Sequence, residues 1–200
     1  MDKKLDSFLE DVYRSGSDFD SKNKVHTEQF LNITPDTGSF LSLLIQAVRA
    51  RQVLEIGTSD GYSTIWIADA LERGGGKVTT IESSERKFKM ARENFERAGL
   101  SRYVDSRLGD ARSVLKDLKD ESADFVFLDA ERPQYISYWR DIDRVLRTKG
   151  LLVVDNALSP KPEELVEFFG LIHDCGRYLS QTLQIGKGEM VALKQQRADS

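Results

Sequence analysis

Three stretches of the chain combine residue types that could hold a charged small molecule. In Glu55-Ile56-Gly57-Thr58-Ser59-Asp60-Gly61-Tyr62-Ser63, an apolar run ends in a turn with two glycines and a helical pattern follows. Glycine lets a ligand approach the backbone closely, and open α/β sheets bind ligands outside the carboxyl ends of their strands. The second stretch, Thr80-Ile81-Glu82, ends the next apolar run and leaves a carboxylate about twenty-five residues beyond the turn. An acidic residue there can accept hydrogen bonds from both hydroxyls of an adenosine ribose. Each stretch also has a plain reading, as a ligand-free glycine turn and as an exposed Glu at a strand end; together they favour a ribose site. The glycine spacing is not G-x-G-x-x-G, which argues against a dinucleotide fingerprint.

The third stretch is a pair of acidic strand ends, Phe127-Leu128-Asp129-Ala130 and Val153-Val154-Asp155-Asn156. Neighbouring parallel strands would bring Asp129, Asp155 and Asn156 together on the ligand rim. Two carboxylates and an amide oxygen are hard ligands that suit Mg²⁺ or a similar cation, with water or substrate oxygens completing the shell. Asp and Asn are also common turn formers, so Asp155 and Asn156 could simply cap a loop.

The elements that must position these residues follow from periodicity. Leu5, Phe8, Leu9, Val12 and Tyr13 recur at helical spacing, and the polar stretch Ser15–Lys24 reads as a loop. Pro35-Asp36-Thr37-Gly38 opens a second helix through Val48. Short β-branched runs then alternate with helical patterns. The strands are Gln52–Ile56, Lys77–Ile81, Tyr103–Leu108, Asp124–Leu128 and Leu151–Val154. The helices are Tyr62–Leu71, Glu85–Ala98, Ala111–Leu118, Gln134–Leu146 and Glu163–Asp174. This alternation indicates a parallel sheet covered on both faces. At the end, Tyr178–Ile185 and Glu189–Lys194 are joined by Gly186-Lys187-Gly188, a tight connection that makes an antiparallel pair. The expectation is a doubly wound α/β fold, with a mostly parallel seven-stranded sheet and one antiparallel strand at or near an edge. It is read as a single domain over 1–200, with a helical N-terminal part (1–50) and an α/β core (51–200).

Composition sets limits on function. Hydrophobic residues are 40% and charged residues 31% of the 200, an ordinary globular balance. A net charge of −4 argues against a broad nucleic-acid footprint. The one cysteine, Cys175, cannot form an internal disulfide, and the N-terminus has no uninterrupted apolar core, so a cytoplasmic setting is expected. No apolar run reaches the length of a membrane span.

These features, in this order, resemble the cation-dependent O-methyltransferases of the catechol and caffeoyl-CoA type, from about Leu31 to Lys194. The densest stretches are LNITPDTGSFLSLLIQ, VLEIGTSDGYSTIWIADAL, VTTIESSERKFKMARENFERAGL, FVFLDAERPQYISYW and GLLVVDN. The resemblance implies a Rossmann-like domain that binds S-adenosyl-L-methionine (SAM) and a divalent cation and methylates a hydroxyl of a small, hydroxylated aromatic molecule. It implies that Asn32 and Ile33 lie against the methionine part of SAM. Glu55, Gly57, Ser59 and Ser63, with Gly61 in the same turn, would hold the amino-acid end, Glu82 the ribose, and Asp110 and Ala111 the edge of adenine. Asp129 would touch both cofactor and metal, with Asp155 and Asn156 as the other metal ligands. Relatives of this type are often homodimers, which the residues here do not themselves reveal.

Two positions depart from the resemblance. The family carries a lysine, proposed as general base, three residues after the first metal aspartate; here it is Arg132. A guanidinium stays protonated, so Arg132 is expected to stabilise negative charge on the acceptor oxygen rather than take a proton; a surface ion pair is the plainer reading. Lys187 stands where plant-type members have an acidic residue. His26, in the loop before Asn32, is a candidate substrate contact, whereas His173, Tyr138 and Trp139 read as structural. Two rival functions remain: a nicotinamide-dependent oxidoreductase and a SAM-binding protein without turnover.

Overall fold

A computed structural model describes residues 2–196. Helices α1 (Lys3–Lys22) and α2 (Pro35–Ala47) precede the sheet. Strand β1 (Gln52–Ile56) then leads into α3 (Tyr62–Gly74), β2 (Lys77–Glu82), α4 (Glu85–Ala98) and β3 (Val104–Leu108). The second half runs α5 (Ala111–Asp117), β4 (Ala123–Leu128), α6 (Tyr135–Val145), β5 (Leu146–Val154), α7 (Val166–Asp174), β6 (Tyr178–Leu183) and β7 (Glu189–Lys194). Short 3₁₀ turns occupy His26–Glu28, Ser101–Tyr103, Arg132–Gln134 and Pro162–Leu165.

The seven strands are ordered β3-β2-β1-β4-β5-β7-β6. Only β7 runs antiparallel to its neighbours, β5 and β6, one place in from the edge. The chain winds outward from β1 through β2 to β3, then returns to the other side of β1 with β4. The crevice between β1 and β4 is therefore the switch point at which such sheets bind ligands. Side chains alternate across the sheet. Val53, Phe125, Phe127 and Val153 face the layer of α1 to α4, while Leu54, Val126, Leu128 and Val154 face α5 to α7. Burial on both faces explains why these strands read as nearly continuous apolar runs.

One expectation is corrected. Ser15–Lys22 is not loop but the second half of α1. Its polar composition is overridden by packing. Phe19 lies 4.8 Å from Phe30, and both Asp20 carboxylate oxygens accept backbone N–H bonds, from Phe30 at 2.7 Å and Leu31 at 2.8 Å. Gly16 is buried against Asn32, where a Cβ would meet Asn32 Nδ2 at 2.6 Å. Asp2 caps the start of α1, and Thr34 caps α2 through Thr37 N–H at 3.2 Å. Strand β5 also begins earlier than its apolar run, at Leu146 beside Ala123, where the pairing carries an irregularity.

Candidate active site

A cavity of about 1240 Å³ opens at the carboxyl ends of the central strands. Hydrogen bonding continues one residue past each strand and sets its floor. Gly57 N–H reaches Ile81 O at 3.1 Å, Asp129 N–H reaches Ile56 O at 3.0 Å, and Asp155 N–H reaches Leu128 O at 3.1 Å. The turn after β1, the carboxylate of β2 and the acidic ends of β4 and β5 thus stand on successive rungs. Gly57 is obligatory there: φ is +104°, and a Cβ would lie 1.9 Å from Asp129 O. Of the expected residues, Asn32, Ile33, Gly57, Ser59, Ser63, Glu82, Asp110, Ala111, Asp129, Arg132 and Asn156 line the cavity. Glu55, Gly61 and Asp155 do not.

Glu82 is held from both sides. Its Oε2 accepts Ser59 N–H at 2.8 Å and its Oε1 accepts Ser84 N–H at 2.8 Å. Two backbone donors fix the carboxylate plane while each oxygen keeps acceptor capacity. Ser59 is itself tied down, its hydroxyl donating to Phe30 O at 2.7 Å. Arg86 and Lys87 of α4 reach Glu28 O and Gln29 O at 2.6 and 2.5 Å, fastening the His26–Phe30 segment over this end of the cavity.

Glu55 lies beneath the wall instead of in it, behind the residues that line the cavity. It has no exposed surface. Its Oε1 accepts the Ser63 hydroxyl at 2.6 Å, and its Oε2 accepts Thr80 at 2.6 Å and Thr64. Thr80 gives its proton to Glu55, so Thr58, 2.5 Å away, must donate to Thr80. Burial outweighs these donors and pushes the Glu55 carboxyl up to about 7. Gly61, in the same turn, lets α3 approach α4: φ is +89° and a Cβ would lie 2.5 Å from the Phe95 ring. Asp60, in the same turn, went unnoticed in the sequence. It accepts Asn32 Nδ2 at 3.1 Å and Tyr62 N–H at 3.2 Å, and burial raises its carboxyl to about 6. Through Asp60 the turn also holds Asn32.

At the opposite end, Asn156 Nδ2 donates to Asp129 Oδ1 at 3.2 Å and to Asp155 Oδ2. Burial raises the Asp129 carboxyl, the adjacent Asp155 carboxylate raises it further, and the charge of Lys187 draws it down. Asp155, 3% exposed, sits behind Asn156. Glu189 of β7 was also missed. It has no exposed surface, accepts the Thr37 hydroxyl at 2.9 Å, and is pushed up to about 11 by burial and by its contact with Asp155. Its second carboxyl oxygen, Oε2, is buried without a hydrogen-bond partner among the described residues. Among the described residues no group of three His, Cys, Asp or Glu side chains could hold a metal. The donor set here is two carboxylates and an amide. Turning the Asn156 amide over would present Oδ1 beside the two carboxylates, and two crowded carboxylates are a setting that a divalent cation neutralises. The residues fit such an ion.

Arg132 departs from its expected role. Its side chain is 12% exposed, and its terminal nitrogens are directed at the loop after β5. Nη1 donates to Pro160 O, to Lys161 O at 3.0 Å and to Glu164 Oε2 at 3.4 Å; Nη2 donates to Asn156 O at 3.0 Å and Ser159 O at 3.5 Å. The guanidinium fork is occupied in fastening the loop that begins at Asn156, not directed at an acceptor oxygen. Tyr135 does the same for the loop after β4: its hydroxyl accepts Ala130 N–H at 3.1 Å and donates to Ala130 O at 3.0 Å. His26 lines the cavity 3.9 Å from Glu131, and Tyr138 lines it while 6% exposed. Trp139 packs on Phe168 and Tyr178, and His173 is exposed, paired with Asp174 at 3.3 Å.

The chain is similar to proteins already known. The chain is 39% identical over 131 residues to a catechol O-methyltransferase of Niastella koreensis, covering 64% of this chain and 59% of that protein. It is 32% identical over 138 residues to caffeoyl-CoA O-methyltransferase 1 of Zea mays, covering 66% and 53%. The matches thus span somewhat over half the length of these curated relatives. Among solved structures, the Bacillus cereus O-methyltransferase in complex with SAH superposes with a TM-score of 0.80 at 32% identity, over 94% of this chain and 91% of that one. The Streptomyces achromogenes O-methyltransferase of tomaymycin synthesis, in complex with SAM, gives 0.79 at 25% identity over 98% and 91%. The O-methyltransferase family profile matches residues 17–161, well over half of the sequence, and the chain belongs to that family.

Proposed function

We propose that the protein transfers a methyl group from SAM to a hydroxyl oxygen of a small hydroxylated aromatic molecule, with a divalent cation held by Asp129, Asp155 and Asn156. The observation that carries this reading is Glu82. Its carboxylate is pinned by the Ser59 and Ser84 amides and faces the same cavity as Asp129 and Asn156. That arrangement suits a ribose diol at one end and an acceptor oxygen at the other. The solved relatives described with SAH and SAM support the same ligand here. Asp110 and Ala111 at the start of α5, with Tyr138, would border the adenine. Ser63, oriented by Glu55, and Asn32, oriented by Asp60, would hold the amino-acid end.

In the proposed reaction the acceptor hydroxyl releases its proton to solvent, its oxygen attacks the methyl carbon, the sulfur–carbon bond breaks and SAH leaves. The sulfonium is already activated, so the protein's task is to align the two reactants. A bound cation would lower the pKa of the acceptor hydroxyl. Arg132 and Tyr135 would keep the two loops bearing Asn156 and Asp129 at fixed separation, and the His26–Phe30 segment would exclude water from the cofactor end. Of the described residues, no helix is long and apolar enough to cross a membrane, and the single cysteine supports a cytoplasmic setting.

Titration calorimetry tests the cofactor assignment. SAH and SAM should bind and NAD should not. Binding of NAD, or no heat with SAH, would overturn it.

A further inference from the structure

A second cavity, of about 350 Å³, adjoins the first. The two share three lining residues, Leu31, Asn32 and Lys187. The smaller one is otherwise walled by α1, with Tyr13 and Ser17 presented to it, and by Thr34 at the start of α2. Lys187 therefore stands at the junction, and it is close enough to the metal-site end for its charge to act on Asp129.

The backbone that carries Lys187 is firmly held. Leu158 N–H donates to Lys187 O at 3.1 Å, Ala157 N–H to Gly188 O at 2.8 Å, and Gly188 N–H to Ile185 O at 2.8 Å. The flanking glycines take φ of +55° and +102°, and side chains there would collide with Thr37 and Leu158. The turn is thus built onto the loop that bears Asn156. Its ammonium, by contrast, has no hydrogen bond or ion pair with any described residue, whereas the Arg132 guanidinium is filled by loop carbonyls. Asp20, the acid of the smaller cavity, is already taken by the Phe30 and Leu31 amides. What remains there to meet a ligand is one cation, the Asn32 amide and the hydroxyls of Tyr13 and Ser17.

We propose that the smaller cavity receives the tail of the methyl acceptor and that Lys187 pairs with a carboxylate on that tail, making hydroxylated aromatic acids the preferred acceptors. One fixed cation among hydroxyl donors matches a monoanion, which one ammonium can balance; a phosphate calls for more charge and for bidentate or backbone donors. Lys187 lines both cavities, so an acceptor whose reacting hydroxyl lies at the Asp129 end can present an acid to it. This inference rests on the methyl-transfer reading of the larger cavity.

The test compares 3,4-dihydroxybenzoate with catechol, the same diol without the acid, by calorimetry on the full chain saturated with SAH and Mg²⁺. The wild type should bind the acid at least about tenfold more tightly. In Lys187→Met that preference should collapse to within about threefold, and Lys187→Arg should keep most of it. Equal affinities in the wild type, or a preference that survives in Lys187→Met, would overturn the assignment. Failure of SAH to bind at all would instead strike the methyl-transfer reading, so the two are distinguishable.

Discussion

Replacing Glu55 by glutamine should remove a defined share of the protein's pH dependence. Glu55 has no exposed surface, and its carboxyl titrates at about 7 in the folded chain against 4.5 as an ordinary glutamate. Between those values the folded state holds the proton and the unfolded state has released it, so stability falls as pH rises. Below the lower value both states are protonated and there is no effect; above the upper one the folded state carries the whole cost of a buried anion. The interval corresponds to roughly 3 kcal/mol. Asp60, raised to about 6 by burial, acts in the same direction, so the wild-type curve alone does not isolate Glu55. The difference between wild type and Glu55→Gln does. Glutamine keeps the shape, and one of the Ser63, Thr64 and Thr80 hydroxyls can turn to accept from its amide. Urea unfolding across a pH series should show the wild type losing about 3 kcal/mol relative to the variant between about pH 4 and pH 8. A difference constant to within about 0.5 kcal/mol over that range would refute the reasoning.

Glu82→Ala should weaken SAH binding by roughly 1–3 kcal/mol, the scale of hydrogen bonds to a charged group, and should also lower the ligand-free melting temperature, because the Ser59 and Ser84 amides lose their acceptor; unaltered affinity by calorimetry would remove the ribose assignment. Chelation should suppress turnover and Mg²⁺ restore it, and full activity with metal removal verified would contradict the cation site. Arg132→Lys should behave like Arg132→Gln, because an ammonium cannot span the carbonyls of Asn156, Ser159, Pro160 and Lys161 as the guanidinium does. Both should raise the Mg²⁺ concentration needed for half-maximal activity about tenfold or more, equivalent to ~1.4 kcal/mol; rescue by lysine would favour a simple charge role instead.

The strand ends were readable because they depend on short-range pattern. An apolar run followed by glycine or a carboxylate marks the rim of a parallel sheet, and Gly57, Glu82, Asp129 and Asn156 all line the cavity. What the sequence concealed depends on partners far along the chain. Glu189 meets Thr37 from 152 residues away, and nothing near Met190 marks it as buried beside Asp155. The second half of α1 looks like a loop because its polar residues are answered by Phe30, Leu31 and Asn32, which pattern alone does not place. Arg132 is the instructive case. Its position after Asp129 suggests chemistry, yet the cluster of carbonyls at Asn156–Lys161 that captures it exists only once β4 and β5 are adjacent.

The central claim is methyl transfer from SAM to a hydroxyl, and the direct measurement is turnover with methyl-labelled SAM and catechol in the presence of Mg²⁺, with the product identified by mass. The account predicts a mono-O-methylated catechol formed with one SAH per product. No methylated product from catechol or 3,4-dihydroxybenzoate, in a preparation that binds SAH, would contradict it.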